Sequence, residues 1–340
     1  MSGFQRVAVI GSGAMATVMA SLLVDNGRAA TLWGRDAGQI DLMRRHRENH
    51  KYLPGHPLPA ALALATDPVE ALDGCDLVLA SIPTQQIRSV FGTFAPLVPA
   101  GVPVVSVAKG IERETLLSPT GVLADTLGGP DARAYASLSG PTIAEELARK
   151  LPATAAAACR DAKVAAGLQA AFHADWFRVY TNPDLLGVEL AGALKNVVAI
   201  AAGIIDGLGL GANAKSALLA RGLAEISRLG VAMGASAETF AGLTGVGDLA
   251  TTCFSPSGRN RSCGEALGRG QSLDGVIAGS HGVVEGVPTC RAARVLAARH
   301  GVDMPITGAV HAVLFEGLSP RDGVARLMTR EARPESEQQR

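Results

Sequence analysis

The chain has 340 residues, 48% of them hydrophobic, with 31 basic and 31 acidic side chains. That length and apolar content suit two domains with a core in each, and the balanced charge leaves no basic footprint for nucleic acid or an anionic membrane surface. Cys75, Cys159, Cys253, Cys263 and Cys290 are scattered without a CxxC pair, which argues against a disulfide framework and a zinc site. Buried, reduced thiols, no metal and a small-molecule ligand are the expectations.

The N-terminus, MSGFQRVAVIGSG, lacks the basic-then-apolar layout of a secretory signal, so a cytoplasmic protein is expected. Strand-like runs then alternate with helix-like ones: VAVI from Val7, AATLW from Ala29, LVLAS from Leu77, VVSVAKG from Val104 and YASLSG from Tyr135. Such alternation predicts βαβ units and a mostly parallel sheet. ATAAAAC from Ala153 and FRVYTNP from Phe177 extend it. From Gly187 onward strands give way to helical patterns: ELAGALKNVVAIAAGII, ANAKSALLARGLAEISRLGVAMG, CRAARVLAARHG and ITGAVHAVLFEG, several ending at glycine. The apolar stretch NVVAIAAGIIDGLGLG meets Asp206 before the roughly 20 apolar residues a bilayer span needs, and reads as a core helix.

In VAVIGSGAMA the first strand ends at Ile10, and Gly11, Gly13 and Ala16 occupy the three small-residue positions of the dinucleotide fingerprint. Gly11 permits the tight turn, Gly13 lets backbone approach a pyrophosphate, and Ala16 lets the following helix pack close to the strand. The loop residues Ser12, Ala14 and Met15 complete the cradle, with helix N–H groups facing the anion. The next strand should end near the adenosine ribose. Arg35 there predicts NADP(H) over NAD(H), although Asp36 beside it favours a free 2′-hydroxyl. The expected architecture is an α/β Rossmann-type doubly wound sheet over residues 1–188, an all-α domain over 189–330, and a frayed tail over 331–340.

Ligands of open parallel sheets bind beyond the carboxyl ends of strands. SIPTQQ, AKG and SGPT stand at three such ends, and Lys109 in the second points into a cleft or out into solvent. Lys195 lies between Leu194, Val197 and Val198. It either snorkels to water or stays in a cleft, where lost hydration lowers its pKa and makes it a proton donor. Asn196 beside it can orient substrate or lysine through its amide. Asp248 follows a glycine turn, and Arg259, Asn260 and Arg261 form either an anion site or a solvated turn. Glu285, between glycines, accepts a cofactor group or caps a helix.

Together, GSGAMATVMA, SVAKGIE, LSGPTIAEELA, the long segment around GALKNVVAI, GVGDLATTC, GRNRSCGEALG and VVEGVPT resemble the bacterial-type NAD(P)-dependent glycerol-3-phosphate dehydrogenases, in order from about Val7 to about Leu327. The resemblance implies that Lys195 donates and accepts the proton, that Lys109 touches cofactor and substrate, and that Asp248 lines the substrate site. It places Gly140, Thr142, Asn196, Gly258, Arg259 and Asn260 on dihydroxyacetone phosphate or glycerol 3-phosphate. Ala144, Arg259, Val283, Glu285, Arg35 and Tyr52 fall on the cofactor. It further implies a role in phospholipid synthesis, and the apolar helical half suggests a homodimer.

Three departures stand out. Gly258 replaces a usual serine and leaves only a backbone N–H for phosphate. Ala16 replaces the third glycine after the bulky Met15, and Ala14 replaces a frequent serine. The rivals are a ketopantoate- or 3-hydroxyacid-type reductase of the same plan and a catalytically silent NAD(P) sensor.

Overall fold

The structure, a computed structural model, describes residues 3–279, 282–332 and 334–335. Of the tail expected to fray, residues 333 and 336–340 lie outside that range. The strands are β1 (Arg6–Ile10), β2 (Ala29–Trp33), β3 (Glu48–Asn49), β4 (Leu53–Pro57), β5 (Ala63–Ala65), β6 (Leu77–Ala80), β7 (Val104–Ser106), β8 (Tyr135–Ser139), β9 (Ala153–Cys159) and β10 (Phe177–Asn182). Eight of them form one sheet in the order β10-β9-β8-β7-β6-β1-β2-β5, and β3 and β4 form a separate hairpin.

All seven strands expected from the sequence are present. Their apolar runs are buried on both faces, as β1, β6 and β8 illustrate, which is why they read as continuous rather than alternating. Neighbours pair in parallel except β8 with β9, so β9 and β10 run opposite to the rest. The six parallel strands follow the doubly wound order, with the chain reversing direction across the sheet between β1 and β6. Gly11 sits at that switch point with φ 129°, and a Cβ there would lie 2.2 Å from the Ser81 carbonyl oxygen beyond β6. Only glycine lets the two strand ends meet so closely.

Beyond β10 the described chain is helical. The helix Leu185–Leu208 is capped by Asp184 and buried from Gly187 to Ile205. It outruns the sequence expectation and is apolar enough to pass for a membrane span (mean hydropathy 1.7), yet it is wholly covered. It is the core around which Gly211–Ala232, Gly286–Arg299 and Pro305–Phe315 pack. The helix Arg259–Gly268 crosses it backbone to backbone: a Cβ on Gly203 would lie 1.9 Å from the Arg261 oxygen, and one on Gly264 1.9 Å from the Ile200 oxygen. Small residues on both partners permit that approach and set Asn260 beside Asn196. Two buried carboxylates tie other elements together. Glu189 accepts from Ser118 and Thr120 at the start of the helix Pro119–Thr126, and Glu225 accepts from the Ile306 and Thr307 N–H groups. All five cysteines are buried, and burial pushes the Cys253 and Cys290 thiols up to about 12.

Candidate active site

The glycine loop leaves β1 and enters the helix Ala14–Asp25, whose first turn is closed by Thr17 N–H to Gly13 O at 3.0 Å. The N–H groups ahead of that bond have no place in the helix ladder and face outward. A Cβ on Gly13 would meet nothing within 4 Å. That open space above bare backbone is the room a pyrophosphate needs, so the loop fits a dinucleotide. Ala16 is fully buried and Met15 packs against the sheet core, which accounts for the small residue in place of the third glycine and the bulky one before it.

Arg35 is exposed at the end of β2. Asp36 turns Oδ1 back to the Gln39 N–H as the N-cap of the helix Ala37–His46, while its exposed Oδ2 lies 3.9 Å from the Lys51 ammonium. Tyr52, 39% exposed, lies on the β3–β4 hairpin with the Lys51 ammonium 5.1 Å above its ring.

Lys109 and Lys195 meet on one carboxylate. Lys195 Nζ donates to Asp248 Oδ1 at 2.6 Å and to the Thr252 hydroxyl. Lys109 Nζ donates to Asp248 Oδ2 at 2.7 Å, to the Gly140 carbonyl at 2.8 Å and, more weakly, to Thr142 Oγ1 at 3.4 Å. Asp248 and Lys195 side chains are 2% and 6% exposed, so the lysine does not snorkel. Burial drives its ammonium down to about 8, opposed by the Asp248 charge and reinforced by Lys109. A single π-helical turn, Leu243–Gly247, delivers Asp248 into the cleft, and such turns recur at functional sites. Gly192 lies under the Lys109 stem: a Cβ there would meet Lys109 Cγ at an ordinary 3.6 Å and crowd Ser139 Oγ at 3.1 Å.

Asn196 does not present a free amide. Its Nδ2 donates to the Lys109 carbonyl at 3.0 Å, and its Oδ1 accepts from Asn260 Nδ2 at 2.9 Å. Asn260 Oδ1 in turn accepts the Gly286 N–H at 2.8 Å. The Arg-Asn-Arg run divides. Arg259 lies exposed with Nε on the Val283 carbonyl, whereas Arg261 turns away to Asp206, Glu265 and the Ser255 carbonyl. Only the first arginine faces the cleft. The Gly258 N–H is directed to the Ser255 carbonyl at 3.3 Å, so even the backbone donor expected there has a partner inside the chain.

Glu285 precedes the helix Gly286–Arg299 without capping it. Its Oε1 accepts the Thr84 N–H at 3.0 Å, beyond β6 in the sheet half. Glu285 Oε2 and Thr84 Oγ1 are both buried without a partner, and burial raises the Glu285 carboxyl to about 7. The three strand-end segments singled out in the sequence therefore converge: Thr84, Lys109 and Thr142 all lie at the cleft. Val283 is 39% exposed, with its carbonyl on Arg259 Nε, and Ala144 is the first residue of the helix Ala144–Ala148. Thr252 and Thr84 escaped the sequence reading. The spacing of Thr252, one helical turn after Asp248, was a usable signal.

A dinucleotide cradle at the sheet's switch point, facing a buried lysine–carboxylate cluster in a helical half, defines a two-domain NAD(P)-dependent oxidoreductase. Two family models match the chain, the NAD-dependent glycerol-3-phosphate dehydrogenase N-terminus over residues 6–165 and its C-terminus over 184–325. The chain belongs to the NAD-dependent glycerol-3-phosphate dehydrogenase family. A glycerol-3-phosphate dehydrogenase (NAD(P)+) of Anaeromyxobacter sp. strain K is 47% identical, covering 97% of this chain and 99% of its own length. One from Streptomyces coelicolor is 45% identical, covering 98% and 99%. The crystal structure of the glycerol-3-phosphate dehydrogenase of Coxiella burnetii superposes with a TM-score of 0.91 at 35% identity, covering 96% of this chain and 99% of that one. A ketopantoate reductase from Ralstonia eutropha shares the fold alone, at a TM-score of 0.57 and 16% identity. The ketopantoate-type alternative is not favoured.

Proposed function

We propose that this chain reversibly reduces dihydroxyacetone phosphate to sn-glycerol 3-phosphate, with NADPH preferred over NADH. The observation that carries the reading is Asp248, which holds Lys195 and Lys109 on its two oxygens at the mouth of the dinucleotide cradle. In this reading the loop Gly11 to Ala16 holds the pyrophosphate and Arg35 the 2′-phosphate. Tyr52, Ala144, Val283 and Glu285 make the remaining cofactor contacts. When bound, the dinucleotide supplies the hydride that C2 of the ketone receives.

Lys195 acts as the acid. An ammonium has three N–H bonds, and Asp248 and Thr252 take two, which leaves the third for the substrate's C2 oxygen. Lys109, fixed by Asp248 and the Gly140 carbonyl, polarises the same carbonyl. The Asn196–Asn260 pair holds the two helices in register, so that Arg259 and the second Nδ2 hydrogen of Asn260 meet the phosphate, with Gly140, Thr142 and Gly258 lining the rest. In the oxidative direction Lys195 takes the proton back. Proton transfer of this kind contributes about 10² to 10⁴ in rate.

The same reading divides the chain near residue 188, although the helix of the second half already begins at Leu185, and has a homodimer in the cytoplasm supplying glycerol phosphate for phospholipid synthesis; sedimentation of the purified protein checks the dimer. The decisive assay is NADPH consumption with dihydroxyacetone phosphate, run beside unphosphorylated dihydroxyacetone and ketopantoate. Rapid consumption with the phosphorylated ketone alone is expected. Tight NADPH binding without turnover would favour the silent sensor and overturn the proposal.

A further inference from the structure

Behind the glycine loop lies a buried polar network that the reaction does not touch. Asn49, in the two-residue strand β3, is fully buried. Its Nδ2 donates to the Ser12 carbonyl at 3.0 Å and to Thr17 Oγ1 at 2.8 Å. Gln39 Nε2, from the helix Ala37–His46, donates to the same Ser12 carbonyl at 3.0 Å and to Asn49 Oδ1 at 3.3 Å. Thr17 Oγ1 passes the chain on to the Gly13 carbonyl at 2.9 Å, which also accepts the Thr17 N–H. The orientation of the Asn49 amide is fixed, because its oxygen accepts the Tyr52 N–H as well.

Two successive carbonyls, Ser12 and Gly13, are thus drawn inward. In a trans peptide the N–H points opposite to the C=O, and the chain contains no cis bond among the described residues. The Gly13 and Ala14 N–H groups are therefore turned outward, over the open space at Gly13. Two side-chain amides on one carbonyl is more than a surface loop requires, and an unpaired loop carbonyl is free to swing about its flanking bonds.

We infer that Gln39 and Asn49 are positioning residues which lock the Ser12–Gly13 peptide in the orientation that binds the cofactor pyrophosphate. The inference rests on the dinucleotide reading of the loop. It also joins the two ends of the cofactor, because Gln39 is seated by the Asp36 cap beside Arg35 while Asn49 begins the hairpin that carries Tyr52.

The test measures dissociation constants by calorimetry for NADPH and for adenosine 2′-monophosphate, which lacks the pyrophosphate, on the wild type, Asn49→Asp and Gln39→Glu. Each substitution keeps shape and replaces a donor with a carboxylate oxygen facing the Ser12 carbonyl. NADPH binding should weaken roughly 10- to 100-fold, with the fragment unchanged. Lowering the pH protonates the introduced carboxyl of Gln39→Glu and restores a donor, so its NADPH affinity should recover relative to wild type at the same pH. A twofold or smaller change in both variants, or equal losses for NADPH and the fragment, would overturn the inference. A wild type without NADPH affinity would instead bring down the cofactor reading, and this inference with it. Should Asn49→Asp fail to fold, Gln39→Glu and its pH recovery decide alone.

Discussion

The two halves of the cleft solve the problem of holding an anion in different ways. The cradle in the sheet half offers backbone N–H groups at Gly13 and Ala14, the exposed Arg35 at the end of β2, and a neutral amide network behind the loop. The cluster facing it offers buried charge: Lys195 and Asp248 from the helical half, joined on the one carboxylate by Lys109 from the end of β7, with Arg259 at the rim. Backbone donors cost far less to desolvate than full charges when a ligand arrives and carry no proton to give. Buried charges are expensive to keep but have pKa values that can be tuned to chemistry. The first half suits a molecule that is bound and released unchanged in its phosphates, and the second suits the group that reacts.

Substitutions that separate the two halves test this contrast. The largest effect is expected from Lys195→Ala, which should lower kcat by about 10² to 10⁴ while NADPH affinity, measured by nicotinamide fluorescence, stays near wild type. Asp248→Asn removes the only carboxylate that touches either lysine among the described residues, and leaving such charges unpaired should destabilise the fold by roughly 3–5 kcal/mol, read from urea unfolding at neutral pH. The pH dependence follows from Lys195, whose ammonium is held down to about 8. Ketone reduction needs the protonated form, so kcat/KM for the ketone should fall about tenfold per pH unit above that value, and kcat/KM for alcohol oxidation should gain over the same range. Stopped-flow traces in both directions would show whether the limbs oppose.

Smaller effects belong to exposed positions. Arg35→Ala should raise KM for NADPH roughly tenfold with little change for NADH; equal changes for both cofactors would remove the assignment of the 2′-phosphate. Gly258→Ser introduces a side chain where a Cβ meets only ordinary contacts, 3.4 Å from the Ser255 and Thr252 oxygens. The hydroxyl can cap the helix Arg259–Gly268, which lacks a side-chain cap, and should tighten the KM for the phosphorylated ketone about two- to fivefold.

The sheet was legible because its strands are buried on both faces, so continuous apolar runs marked them. Strand β5, only Ala63–Ala65, and the hairpin around Asn49 gave no such run. The amides of Gln39 and Asn49 carry no signal in the sequence, since nothing local distinguishes a polar side chain that is buried by a neighbour far along the chain. The Arg-Asn-Arg run divides for a geometric reason: successive helical residues are turned about 100° from one another, so Arg259 and Arg261 point to different sides of their helix. Lys195, by contrast, was readable as a cation among apolar neighbours, and the structure resolves the choice between snorkelling and burial by putting Asp248 and Thr252 at its tip.

The shared carboxylate has an electrostatic consequence. Asp248 carries one negative charge and holds two positive ones, so the cluster retains a net positive charge before any ligand enters. A phosphorylated ketone brings two negative charges into the same cleft. Their field favours the ammonium form of Lys195 and opposes the loss of its proton that burial and Lys109 promote. The substrate thus keeps its own acid protonated at the pH where it would otherwise begin to titrate. In the proposed mode of binding, a ketone without phosphate forfeits that assistance along with contacts to Arg259 and Asn260.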